Sequence, residues 1–309
     1  MALASAAGVF DGMGAARASR MSLARGLREH HHRIMSPVAA LLMILSGSLH
    51  AVVNALVKSG RDKMAARAAT DGSSAVVMLP LVVFVPLPTG AWALLAISAI
   101  IHAAYLFALV RAYEAGDFSA AYPAVRGVAP VVTAALSVGL LGERVSAADL
   151  VGVALIGGSI CALVAGRHLS ARTLGWSALT GIAVAAYTVV DAAGVRAAPS
   201  SASYIVWLFA TMGPVVIATF ALATRGRVFA AMRGAWRPGA IAGLFSISTY
   251  GAALHAFSLG PTAPLAALRE TGVVTAMLIA AFVFGEHIGP ARLAAVAGVL
   301  AGAMLILAG

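Results

Sequence analysis

The chain has 309 residues, 61% of them hydrophobic and only 10% charged, with a formal net charge of +10 and a mean hydropathy of +0.96. That balance lies outside the range of water-soluble globular domains and excludes them. The positive charge falls mainly in short segments between apolar runs, which is a membrane-orientation pattern rather than a nucleic-acid footprint, so no nucleic-acid partner is expected.

In chain order, residues 1–36 come first, with Arg17, Arg20, Arg25, Arg28 and Arg33 opposed only by Asp11 and Glu29, and with the run His30 to His32. This composition predicts a basic, disordered tail. A secretory signal does not fit, because the apolar start is short and the arginines follow it; an organellar transit peptide is the alternative, and translation from Met21 or Met35 would shorten the tail. The three histidines lack the further ligands that a metal site needs, and neither metal nor cofactor is expected.

Ten apolar runs follow, at 37–57, 74–88, 91–113, 118–141, 148–166, 174–194, 203–223, 238–259, 263–284 and 291–308. A helix of about 20 apolar residues crosses the hydrocarbon layer of a bilayer, so each run is a candidate span. The second is interrupted by Pro80 and Pro86, which membrane helices tolerate when neighbours satisfy the freed carbonyls. Cys161 lies inside the fifth run and has no cysteine to pair with, which suits core packing.

The segment AYEAGDFSAAYPAVRGVAPVVTAALSVGLLGE, ending at Glu143, repeats as AFSLGPTAPLAALRETGVVTAMLIAAFVFGE, ending at Glu286. Gly116 maps onto Gly260 with an offset of 144, and after a one-residue gap Arg126 maps onto Arg269 and Gly142-Glu143 onto Gly285-Glu286 with an offset of 143. Upstream, HAVVNALVK from His50 is similar to YTVVDAAGVR from Tyr187, pairing His50 with Tyr187 and Asn54 with Asp191. Each copy therefore holds five runs, 37–166 and 167–309. An odd number of crossings makes the second copy enter the membrane from the opposite face, as in inverted-repeat transporters.

On these residues, together with AYPAVRG before the fourth run, LRET in the ninth and the two Gly-Glu pairs, the chain resembles a ten-helix member of the drug/metabolite transporter superfamily, of the EamA-repeat type. The resemblance covers 37–309. It implies an all-α integral membrane protein, two inverted five-helix repeats around a central cavity, alternating access, and export or exchange of small polar metabolites such as amino acids. It also implies residence in a bacterial cytoplasmic (inner) membrane.

An intramembrane charge costs a few kcal/mol and should face a protein interior or wet cavity with a partner, which singles out Arg126, Arg269 and Glu270. Tyr122 and Arg126 are four apart, as are His50 and Asn54, and Tyr187 and Asp191, so each pair projects from one helix face. His102 and Tyr105 in the third run and Tyr250 in the eighth extend the same polar lining. Asp191 or Glu270 is expected to neutralise an arginine and to offer a carboxylate for a proton. For the arginines the alternative is a permanent structural ion pair; for His50, Asn54, Tyr187 and Asp191 it is plain interhelical hydrogen bonding. Glu143 and Glu286, beside glycine at helix ends, read as structural. Arg111 and Asp117 read as a solvated turn, His255 as interfacial, and Trp207 as packing or cavity wall.

Pro123, Pro130, Pro264 and Gly272 weaken the fourth and ninth runs beside the arginines, where unwound backbone is expected at a transport site. Gly298 and Gly302, with Gly152 and Gly157, predict close helix packing, within one chain or across a homodimer. Connections after odd-numbered runs carry most of the lysines and arginines, Arg67, Arg233 and Arg237 among them, whereas the others hold only Arg144 and Arg196. This puts the odd connections in the cytoplasm, and the arginines of the tail count the other way.

The function these features favour is a secondary transporter of small polar or zwitterionic solutes, an exporter, with proton coupling open to it. Import or exchange of an anionic carboxylate or phosphonate is the variant, since a guanidinium binds such groups bidentately. A non-transporting membrane sensor or scaffold is the second class. An enzyme is not expected, because no G-x-S-x-G, H-E-x-x-H or phosphate-binding loop occurs. The partners expected are therefore a small solute, protons and the lipid bilayer.

Overall fold

Runs of Ala, Leu, Val and Ile punctuated by Gly, Pro and charge fold here as helices. The computed structural model describes residues 35–58, 62–115, 118–163, 170–283, 285 and 288–309, and every regular element among them is helical. In order these are α1 (Pro37–Lys58), α2 (Lys63–Met78), a 3-10 segment (Leu79–Phe84), α3 (Trp92–Ala115), α4 (Phe118–Leu141), α5 (Ala147–Ala162), α6 (Ala171–Ala197), α7 (Ser201–Ala223), α8 (Arg227–Leu259), α9 (Thr262–Leu268), a 3-10 turn (Arg269–Thr271), α10 (Gly272–Phe282) and α11 (Pro290–Ala308).

Seven continuous helical stretches are long and apolar enough to cross a membrane, and three shorter apolar helices accompany them at Pro37–Val53, Val125–Leu141 and Ala147–Ala162. The polarity is inside out relative to a soluble protein. Phe84, Leu222 and Phe282 are each at least 80% exposed, whereas Asp71 and Asp191 are fully buried. Large apolar side chains on most outer faces and charges in the interior suit lipid as the surrounding solvent, so this is an integral membrane protein.

Two element boundaries differ from the sequence reading. The second helix starts at Lys63, not near residue 74, capped by Asp62, whose carboxylate accepts from the Ala65 N–H at 2.9 Å. Its first half is polar, which lowers an averaged hydropathy, yet Thr70 Oγ1 donates to the Ala66 carbonyl at 2.8 Å and Ser74 Oγ to the Thr70 carbonyl at 3.0 Å. With those hydroxyls satisfied, the face packs on glycines: a Cβ on Gly239 would fall 2.5 Å from the Ala69 Cβ and one on Gly243 would fall 2.9 Å from the Thr70 carbonyl oxygen. The eighth helix starts at Arg227 rather than 238 and carries Pro238 within it. Arg67, Arg233 and Arg237 are therefore helical rather than in connections, and so is Arg111, near the end of α3.

The ninth run holds together instead of unwinding. Three residues tighten to 3-10 geometry, with the Gly272 N–H bonded to the carbonyls of Arg269 and Glu270. Pro123 and Pro130 are likewise accommodated inside α4.

Neighbour choice follows small residues. Helix α1 packs on α8, where Ser46 Oγ donates to the Thr249 carbonyl at 2.6 Å and Thr249 Oγ1 returns a bond to the Ser46 carbonyl. It also packs on the ninth run, because Gly47 and Gly272 touch backbone to backbone; a Cβ on Gly47 would overlap the Arg269 carbonyl. Helix α3 packs on α6, α4 on α6 and α5, and α2 on α7 and α8. The glycine pattern of the last run is used within the chain: α5 lies against α11, and Cβ atoms on Gly152 and Gly302 would each fall within 2.8 Å of the other's carbonyl oxygen. Such interhelical contacts are individually worth about 0.6 kcal/mol in a bilayer, so the bundle depends on many of them.

Candidate functional site

Charged and aromatic side chains from eight of the ten runs gather in the bundle interior, while α5 and α11, packed against each other, contribute none of them. The fourth and ninth runs supply the first pair. Arg126 Nε lies 3.0 Å from Glu270 Oε2, with only 13% and 7% of the two side chains exposed. Arg269, next in sequence to Glu270, points another way: its guanidinium carbon sits 5.3 Å from the centre of the Tyr250 ring. Among the described residues Arg269 forms no ion pair, and its buried Nε has no hydrogen-bond partner. The Gly47–Gly272 contact fixes this backbone, so α1 sets where both arginine neighbours project.

Asp191, fully buried on α6, does not neutralise an arginine as the sequence reading allowed. It accepts from Tyr204 at 2.8 Å through Oδ1 and from Tyr250 through Oδ2. Gly194, one turn on, admits the Tyr204 ring, since a Cβ there would overlap it. Two phenol donors satisfy the carboxylate without a cation, which leaves the arginines to other partners.

An aromatic group adjoins this carboxylate. His102 stacks on Tyr187 with ring centres 4.0 Å apart and planes at 24°, and Tyr105 meets Tyr187 edge to face at 5.4 Å. Tyr250 lies 5.9 Å from His102 and 6.1 Å from Tyr187. His102 is oriented by its own helix, with Nδ1 3.0 Å from the Ser98 carbonyl oxygen and 3.1 Å from Ser98 Oγ. His50 is half-buried on α1, the helix that packs on α8 and the ninth run. Of the residues singled out from sequence, Arg126, Glu270, Arg269, Tyr250, Asp191, Tyr187, His102 and Tyr105 are thus linked by direct contacts, with His50 alongside. The side chains of Asn54 and Tyr122, like Glu286, Asp117 and the histidine run, lie outside the described residues.

Three participants, Arg67, Asp71 and Tyr204, escaped the sequence reading. Arg67 and Asp71, four apart on α2, pair at 2.8 Å, and buried Asp71 Oδ1 has no hydrogen-bond partner among the described residues. Their spacing was the available signal, hidden because the segment looked like a connection. Tyr204, the second phenol on Asp191, carries no sequence signal beyond being a polar aromatic in an apolar run. Trp207, read as packing or cavity wall, faces Trp92 edge-on at 4.9 Å, and its buried indole N–H has no hydrogen-bond partner among the described residues.

Glu143, read from sequence as structural, is paired with Arg196. The left-handed turn at Gly142, with φ of 65°, closes α4 through a Glu143 N–H to Ser137 carbonyl bond of 3.2 Å and sends the carboxylate back into the bundle. There Arg196 Nη1 meets Oε1 at 2.7 Å, while Thr262 donates its N–H to Oε2 at 2.8 Å and its hydroxyl to Oε1 at 2.7 Å. Arg196 also donates to the carbonyls of Phe257 at 2.8 Å and Gly260 at 2.7 Å. It is a buried helical arginine, not the exposed connection residue read from sequence. His255 is exposed near the end of α8, with Nδ1 2.9 Å from Ser201 Oγ.

Chemically, the interior offers fixed anion donors, a doubly hydrogen-bonded carboxylate and ring faces. No family model matches the sequence, and no curated protein matches it. Twenty-six solved chains match. One of them, a crystal structure of a protein, is 16% identical and superposes with a TM-score of 0.65 over 86% of this chain and 94% of its own. At that identity the likeness is one of fold, and it extends over nearly the whole bundle.

Proposed function

We propose that the protein is a secondary transporter of small polar metabolites, amino-acid-like or related, working by alternating access as an exporter in the cytoplasmic membrane of a bacterium. In this reading the ten runs are two inverted five-helix halves of the drug/metabolite transporter type. What supports the inversion is an exchange of partners between the halves. The first run packs on the eighth and ninth as the sixth packs on the third and fourth, while the second pairs with the seventh and the fifth with the tenth. The two glycines of the repeated Gly-Glu pairs also share a left-handed turn, with φ of 65° at Gly142 and 63° at Gly285.

The observation that carries the function is the buried charge between the halves: Arg126 and Glu270 paired across them, Arg269 beside the pair without a carboxylate, and Asp191 held by two tyrosines. A purely structural core would avoid groups this costly to desolvate. A polar solute entering the interior finds its hydration replaced by these donors and acceptors, and the aromatic group around Tyr187 supplies sequence-tolerant surface for its apolar part. A solute carboxylate competes with Glu270 for Arg126, which loosens the contact between halves only when cargo is present.

Arg269, which among the described residues forms no ion pair and leaves its buried Nε without a hydrogen-bond partner, favours a second reading, in which the cargo is an anion such as a carboxylate or phosphonate, moved inward or by exchange. Reconstituted protein tests both. Flux of a zwitterionic or anionic solute from a broad metabolite panel, with and without a pH gradient, and its loss in Arg269→Ala, is the expected result. No flux for any member of the panel would count against transport and for a sensor or scaffold.

A further inference from the structure

Among the described residues, two buried ion pairs join the first five runs to the second five, Arg126–Glu270 and Arg196–Glu143. The second stands where four connections meet. Ser203 Oγ donates to the Pro86 carbonyl at 2.6 Å, a Cβ on Gly90 would fall 3.1 Å from the Ala197 carbonyl oxygen, and Arg196 spans Glu143, Phe257, Gly260 and Thr262. These contacts tie together the segments α2–α3, α4–α5, α6–α7 and α8–α9 at one end of the bundle. Arg196 lies five residues beyond Asp191 on α6, and Thr262 lies seven before Arg269, about 7.5 and 10 Å of helix rise. The pair therefore stands between the central charges and that end.

We propose that Arg196 and Glu143, with Thr262, form a latch that closes this end of the solute pathway and parts once in each transport cycle. The inference rests on the transporter reading above. An apolar plug would expose apolar surface to water each time the halves separated. Parting this pair instead delivers the Glu143 carboxylate and the Arg196 and Thr262 groups that faced it to water, which solvates them and returns the desolvation cost of the closed state, while Arg196 keeps its carbonyl partners within the second half. Closed and open forms are then near in free energy, as a two-state gate requires. The contacts also divide as a gate should: Glu143 belongs to the first half, and every other member to the second.

A single-cysteine reporter tests the latch. In a Cys161→Ala background, Tyr105→Cys supplies a thiol at the half-buried edge of the central aromatic group. Sealed vesicles of both orientations are treated with a membrane-impermeant, cationic methanethiosulfonate. Arg196→Gln and the milder Glu143→Gln, which keeps an acceptor for Thr262, are expected to raise labelling at least about tenfold from the face of the α4–α5 connection, with no rise from the other face. Unchanged rates in well-folded variants, or an equal rise from both faces, would overturn the latch. If Arg196→Gln does not fold, Glu143→Gln decides alone. Unchanged labelling in a protein that moves solute rejects the latch and keeps the transporter; one-sided labelling in a protein that moves none supports the gate and rejects transport.

Discussion

Removing Glu270 should cost more stability than removing Arg126, although the two form one ion pair. At 3.0 Å between Nε and Oε2, with charge centres about 4 Å apart, the attraction is about 4 kcal/mol at an effective dielectric of 20. Taking away one member of a buried pair costs about 3–5 kcal/mol, because the other charge is left desolvated. Arg126→Gln leaves Glu270 with Arg269 as its chain neighbour, so the carboxylate keeps a cation nearby and the loss should sit at or below about 3 kcal/mol. Glu270→Gln removes the carboxylate that pairs with Arg126 and sits next in the chain to Arg269, so two buried arginines lose it at once and the loss should reach about 4–5 kcal/mol. The double variant, with no charge stranded by its partner, should recover about 2 kcal/mol of the sum of the singles. Unfolding of purified protein in mixed micelles with increasing SDS, followed by tryptophan fluorescence, gives all four free energies. Equal losses for the single variants, or additivity within about 0.5 kcal/mol, would refute the reasoning.

Other consequences can be measured alongside. Gly302→Leu should separate α5 from α11 and lower the apparent melting temperature by several degrees, since even a Cβ there would fall 2.7 Å from the Gly152 carbonyl oxygen; an unchanged melting profile would mean the two helices are not in contact. Tyr204→Phe strips one donor from Asp191 and should destabilise by about 1–3 kcal/mol, whereas Tyr204→Phe combined with Asp191→Asn should not add the two losses. Arg67→Ala should cost about 3–5 kcal/mol by stranding Asp71, and Arg67→Ala with Asp71→Ala should restore most of it, both read by thermal unfolding.

Much of the scaffold was legible in the sequence because lipid imposes a simple rule. Apolar runs became helices, and the glycine spacing at Gly152, Gly298 and Gly302 became a helix contact within the chain. Gly142 and Gly285, which the sequence aligns, both take left-handed turns. What stayed hidden was polar helix. The segment around Arg67 and Asp71 has the hydropathy of a connection, and only tertiary packing on the glycines of α7 and α8 makes it an interior helix. Arg196 was misread for the same reason, since an arginine near a helix end looks solvated until the connections that bury it are in place. Among the site residues, same-helix spacing marked the right side chains but could not pair them across helices, so Glu270 with Arg126, and Asp191 with two tyrosines, had to await the structure.

The most direct test of a solute pathway through the charged interior is two-sided accessibility of α3 in sealed vesicles. With Cys161 replaced, Tyr105→Cys on the interior face is compared with Ile100→Cys, whose native side chain is 69% exposed on the outer face. The expected result is reaction of the position-105 thiol with an impermeant reagent from either side of the membrane, slowed by transported solute, and no reaction at position 100 from either side. A position-105 thiol that stays unreactive from both faces, with or without solutes, would contradict a pathway there and reduce the buried charges to a structural core.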